Sequence, residues 1–196
     1  MNYRQFLMAQ FGKRDERRKS LSMLLSTSEL SGDSWKMTGQ RSWRVGMDEF
    51  RDERFQRARI KGLFAATRAF EQKGTERWVY VKIIPMESYE DALFELPGIG
   101  LNFMIAPRSG TVLEGERAIP LDIEMDLENA RATELTFTQS TKVARYRCVV
   151  GNLENVIALI CCSGLDEGWS WDELQFVSSA QALKMRRVLG VSAEEL

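Results

Sequence analysis

The spacing of hydrophobic positions changes several times along the 196-residue chain, and each change marks an element. Tyr3, Phe6, Leu7 and Phe11 recur at helical spacing and make residues 1–12 amphipathic. "SLSMLLSTSEL" (20–30) reads as a short helix stopped by "SGD". "SWKMTGQRSWRV" (34–45) reads as extended, with a hairpin turn expected at Thr38–Gly39–Gln40 and Trp35 and Trp43 flanking it. "MDEFRDERFQRARIKG" (47–62) is a charge-laced helix with Gly62 as its C′ residue. Its stripe of Met47, Phe50, Phe55 and Ala58 is narrow, which places the helix at the surface.

The period then shortens to two. Strands are expected at 63–71 and 77–84, joined by a turn at Lys73–Gly74–Thr75. Val79, Val81 and Ile83 fall on one face of the second strand; Trp78, Tyr80 and Ile84 fall on the other. Both faces are apolar, so this strand belongs in the middle of a covered sheet. "MESYEDALFEL" is a helix with Ser88 at the N-cap, Asp91 at the capping-box position and a stripe of Tyr89, Ala92, Leu93 and Leu96. "LNFMIAPRSGTVLEGER" (101–117) supports a strand followed by a loop. Residues 121–128 alternate throughout: Leu121, Ile123, Met125 and Leu127 against Asp122, Glu124, Asp126 and Glu128. Three further strands follow, "TELTFTQS", "KVARYRCVVG" and "ENVIALICCSG", with a turn expected at Gly151–Asn152. A closing helix begins at Ser170, boxed by Glu173, with Phe176, Val177, Ala180, Leu183 and Val188 as its buried side.

No βαβ alternation with glycine-rich turns occurs, which disfavours a doubly wound sheet. The order of elements predicts an α+β fold: a mainly antiparallel sheet flanked by helices on both faces. One domain is expected over 20–196, preceded by an arm at 1–19. Residues 13–19, "KRDERRK", carry five basic and two acidic side chains. That run fits a solvated arm, or a helix that docks on a partner or an anionic membrane surface, or an arm packed across a homo-oligomer.

Composition narrows the chemistry. The chain has no histidine, which excludes Ser-His-Asp and Cys-His triads and removes the commonest ligand of zinc, copper and non-haem iron. Net charge is −1, so no global basic field points to nucleic acid. Phosphate-binding loops are absent; in "PGIGLNF" Phe103 stands where a third glycine belongs. No cofactor is expected. No leader-like apolar region or membrane span is read from the sequence, and a reducing cytoplasm is the expected location.

The three cysteines set no secreted disulfide framework. Cys161 and Cys162 point to opposite faces of a strand. A turn at Gly151–Asn152 sets Cys148 opposite Asn155, away from both, so a buried structural role is expected for all three. Two places carry candidate chemistry. Trp78 and Tyr80, with Trp35, Trp43, Trp169 and Trp171, are candidate contacts for a protein partner or a small apolar ligand. Asp122, Glu124 and Asp126 are the candidate cation site of an alternative, carboxylate-based enzyme, against a plainer use as a solvated face that blocks edge-to-edge pairing.

Four segments, "MLLSTSELSGDSWKM", "RWVYVKIIPMESYEDAL", "RYRCVVGNLENVIAL" and "WDELQFVSSAQALKM", resemble PsbP-like α/β/α-sandwich domains. The resemblance extends to actinobacterial relatives: small lipoproteins and the extracytoplasmic sensor domains of receptor kinases. It implies a sandwich fold and a non-catalytic binding or sensing role. It transfers no residue-level function. The leading expectation is a binding or protein-interaction module; the alternatives are the metal-dependent enzyme and a peripheral membrane or assembly protein using the arm.

Overall fold

The strand Val156–Leu165 has no polar face, so it is stable only where both sides are covered. A computed structural model describes residues 3–46, 53–99, 112–119, 126–139, 142–165 and 168–191, with backbone only at 3–12, 112–119, 138, 139 and 142. In it the strands are β1 (Trp35–Arg44), β2 (Phe64–Gln72), β3 (Arg77–Pro85), β4 (Val112–Ile119), β5 (Glu128–Gln139), β6 (Lys142–Leu153) and β7 (Val156–Leu165). They form one seven-stranded sheet in the order β1-β2-β3-β7-β6-β5-β4, with every neighbouring pair antiparallel. Two meanders, β1–β3 and β4–β7, meet along β3 and β7.

Helices cover both faces, as the apolar pattern requires. On one face lie α1 (Tyr3–Ser22) and α4 (Trp171–Leu189). Their core joins Met23, Leu24 and Leu25 to Val81, Ile83, Ile160, Leu174 and Val177. On the other lie α2 (Glu53–Lys61) and α3 (Tyr89–Glu95), whose core joins Phe55, Ala58 and Ala92 to Ala65, Ile84, Ile157 and Leu159. The expected α+β class, a mainly antiparallel sheet between helices, is the fold observed. α1 runs through residue 19, so the expected arm and domain join inside one helix; Ser20 Oγ donates to the Phe64 carbonyl at 2.6 Å.

Local signals held where backbone chemistry alone decides. Ser170 and Glu173 form a complete capping box, and Ser88 Oγ accepts from the Asp91 amide at 3.1 Å. Gly62 sits at φ 79° after α2.

Elsewhere the structure corrects the pattern. No hairpin turns at Thr38–Gly39–Gln40. Residues 35–44 are one strand with a bulge between Met37 and Gly39, and Trp35 and Trp43 both pair with β2. Folding back would have left the long edge of β2 unpaired. Residues 126 and 127 are a bend rather than strand, and 121–125 lie outside the described residues.

The β6–β7 turn falls at Glu154–Asn155, not at Gly151–Asn152. Gly151 is needed mid-strand: a Cβ there would lie 2.9 Å from Leu127 Cβ. Asn152 is buried, donating to Glu128 Oε2 and the Glu154 carbonyl and accepting from Asn129. The shift brings Cys148 opposite Cys161, which overturns the expectation that Cys148 faces Asn155.

Helix stripes also rotate. α4 buries Leu174, Val177, Ala182 and Met185, while Phe176 and Leu183 stay about half exposed. α3 buries Asp91 and Ala92 and exposes Tyr89 and Leu93. Asp91 can face inward because Arg57 from α2 pairs with it.

Candidate functional site

Alternation along β3 puts Trp78, Tyr80, Lys82 and Ile84 on the face toward α2 and α3. The covered core on that side includes Ile84, Ala65, Ile157 and Leu159. Beyond it the aromatic side chains emerge: Tyr80 is half-buried and Trp78 is 37% exposed. Tyr80 lies opposite Ala69 on β2 and Cys161 on β7, and Trp78 lies opposite Glu71 and Ser163. On the far side Tyr146, opposite the same Ser163, meets Phe137 edge-on with ring centres 5.1 Å apart.

Positive charge accompanies the aromatic row. Lys82 is only 5% exposed, and its Nζ stands 5.0 Å from the Trp43 ring centre. The Arg41 guanidinium lies 5.5 Å from the same ring. Thr67, buried on β2, is the cross-strand neighbour of both Arg41 and Lys82. Burial pushes the Tyr80 phenol above its ordinary pKa, outweighing the opposing hydrogen bond with Thr67. Tyr80 therefore stays protonated and can donate at neutral pH. The row offers stacking surface, hydroxyls and fixed positive charge, the parts of a recognition surface.

Two helices pin the end of this face. Arg57 pairs with Asp91 and, at 3.6 Å, with Glu87, and Lys61 reaches Glu87 at 3.3 Å. Arg54 bonds Glu95 and lies over the Phe94 ring. Arg131 on β5 donates to the carbonyls of Leu96 and Ile99, closing the turn after α3.

The six aromatic candidates do not form one site. Trp78, Tyr80 and Trp43 share the α2/α3 face. Trp35, Trp169 and Trp171 belong to the opposite core beneath α4. Trp169 is buried, donates Nε1–H to the Ser163 carbonyl at 3.0 Å, and stacks 5.9 Å from Trp35 and under Arg77. Trp171 is half-buried under Arg147.

Of the candidate cation ligands, Asp122 and Glu124 lie outside the described residues. Asp126 sits 3.6 Å from Arg186. Among the described residues no three His, Cys, Asp or Glu side chains are grouped to hold a metal ion. A shallow groove of about 440 Å³ runs along α4 past Phe176, Leu183 and Arg187.

Sequence reasoning missed Lys82, Arg41 and Thr67. The signal was present for Lys82, a lone charge in "WVYVKIIP" whose parity matches Trp78 and Tyr80. Arg41 and Thr67 could not be aligned with it before the β1–β2–β3 registers were known.

No protein-family model matches the chain, and no curated protein matches it in sequence. Solved structures do match. The extracellular domain of PknH from Mycobacterium tuberculosis aligns with a TM-score of 0.58 at 9% identity, over 87% of this chain and 96% of that one. The Rv0999 ortholog from Mycobacterium smegmatis aligns with a TM-score of 0.45 at 10% identity, over 79% and 90%. The first match agrees with the expected likeness to an actinobacterial sensor domain, at the level of fold; it does not establish the PsbP-like assignment. It also overturns the cytoplasmic location expected from the sequence, since the matching fold is that of an extracellular domain. The homo-oligomer expected through the arm finds no support. Among the described residues no helix is long and apolar enough to cross a membrane.

Proposed function

We propose that this domain is a non-catalytic binding module, sensory in role, and that its contact surface is the α2/α3 face around Trp78, Tyr80, Lys82 and Trp43. The observation that carries the reading is the row itself. A central strand places an exposed indole, a protonated phenol and a buried amine on one side, beyond the core that the helices close. Aromatic side chains that are rigid and only half covered supply much contact area at small entropic cost. The PknH match, to an extracellular domain, supports the reading at the level of fold and names no ligand. The chemistry of the row favours a ligand or peptide with an apolar body and an anionic or hydrogen-bonding end.

The test is native mass spectrometry of the protein purified from its own host, on wild type and on Trp78→Ala. Wild type is expected to retain a bound species that Trp78→Ala loses, with the melting temperature of the free variant nearly unchanged. An unliganded wild type that also fails to bind any component of a host extract would sink the proposal. So would a ligand retained equally by the variant.

A further inference from the structure

The displaced β6–β7 turn has a covalent consequence. Cys148 and Cys161 are directly opposite on adjacent antiparallel strands. In a two-residue hairpin the pair flanking the turn, here Leu153 and Val156, exchanges hydrogen bonds, and the two kinds of pair alternate from there. Five steps on, Cys148–Cys161 is a pair without mutual backbone hydrogen bonds. Such pairs bring their Cα atoms to about 4.5 Å, inside the 4.4–6.8 Å that a disulfide spans. Their Sγ atoms stand 2.8 Å apart, and both side chains are buried. Cys162 points to the α1/α4 face, opposite Val79 and Arg147, and cannot meet either without turning the strand over.

We propose that Cys148 and Cys161 are an oxidative modification site, where a cross-strand disulfide staples β6 to β7 beside Tyr80 while Cys162 stays a thiol. The oxidant is a small-molecule or protein disulfide. One cysteine thiolate attacks it, its S–S bond breaks, and one thiol leaves, taking a proton. The second cysteine attacks the mixed disulfide, the Cys148–Cys161 bond forms, and the second thiol leaves. The two protein sulfurs lose two electrons and two protons, which the oxidant gains as two thiols.

Burial sets when this happens. It pushes the Cys148 and Cys162 thiols far above their ordinary range, so exchange in the closed fold is slow. The hairpin is local, and its two-residue turn brings the thiols together before the long-range β3–β7 pairing. The bond therefore belongs to folding in an oxidising solution.

The experiment refolds the full chain from the reduced, denatured state in a mixture of reduced and oxidised glutathione. The product is then unfolded without reductant and its free thiols are alkylated. One alkylated cysteine and the loss of two hydrogens are expected. Cleavage after Glu154 separates Cys148 from Cys161 and Cys162, and the two halves should stay joined until reductant is added. Cys162→Ser should keep the link and Cys161→Ser should lose it; the wild-type masses decide the matter even if a variant folds poorly. Three alkylated thiols in wild type would overturn the proposal. A link that needs Cys162, or one found only between chains, would do the same.

Discussion

The two faces of the sheet are covered by different means. Over the α1/α4 face lies a nineteen-residue helix held by buried polar clamps. Gln181 on α4 donates to the Met23 carbonyl at 2.7 Å and accepts from the Leu25 amide at 3.1 Å. Arg68 reaches from the sheet to the carbonyls of Leu24 and Leu25. Glu29–Lys184 and Arg77–Glu173 latch α4 at both ends. Over the other face, among the described residues, lie shorter helices of nine and seven residues. They are joined to each other by the Arg54 and Arg57 ion pairs. Both faces hold a buried core, and among the described residues Trp78 on the second stays 37% exposed. The same sheet serves both because alternation gives each strand two independent faces.

The contrast breaks most directly at apolar side chains of the covering helices. Leu174→Ala, at a fully buried position under α4, is expected to cost about 2–5 kcal/mol. Leu93→Ala, 42% exposed on α3, should change stability by no more than about 0.5 kcal/mol. Urea denaturation of the two variants checks this, and equal losses would erase the asymmetry.

A smaller effect probes the clamp. Gln181→Met keeps the volume but leaves the Leu25 amide and the Met23 carbonyl unpaired inside the core, at a cost of about 2–3 kcal/mol. Amide hydrogen exchange at Leu25 should quicken while β3–β7 protection falls only by the global loss. Unchanged exchange at Leu25 would show that the clamp is not made.

The smallest effect is acid sensitivity of the same face. Burial raises the pKa of Glu29, but hydrogen bonds from Lys184 and Ser26 outweigh it and hold the carboxyl below its ordinary value. Glu173 behaves alike: burial works against its charge, while bonds from Ser170 and Arg77 prevail. A folded pKa below the unfolded one adds stability that is full above the unfolded value and lost as pH falls through the folded one. Stability should therefore decline from about pH 4.5 downward, and Glu29→Gln with Glu173→Gln should flatten that decline. An identical pH slope in the double variant would place the acid-sensitive groups elsewhere.

Much of the fold was legible because it depended on near neighbours in sequence. The strand pair around Gly74, the caps at Ser88 and Ser170 and the two apolar faces of 156–162 all follow from steric and hydrogen-bonding rules within a few residues. Less of the candidate site was readable. Trp78 and Tyr80 were placed correctly by parity on one strand. The faces of Trp35, Trp169 and Trp171, named beside them as contact candidates, could not be read, because tryptophan identity says nothing about which face a distant element buries. The inward face of α4 was misjudged for a related reason. Gln181 looks like a surface residue until the carbonyl and amide that pair with it are known, and Phe176 looks like core until no described element covers it.

By itself, then, the sequence determined the alternation of strands, the helix starts and the need for cover on both sides of the central strands, all set by local period and backbone chemistry. Only the tertiary structure decided registers. Pairing strands shifts in whole residues, and each step changes every cross-strand neighbour. The step from Gly151–Asn152 to Glu154–Asn155 is such a change: it sets Cys148 against Cys161. Gly151 under Leu127 and Asn152 in its buried hydrogen bonds both fit that register, through partners more than twenty positions away in sequence.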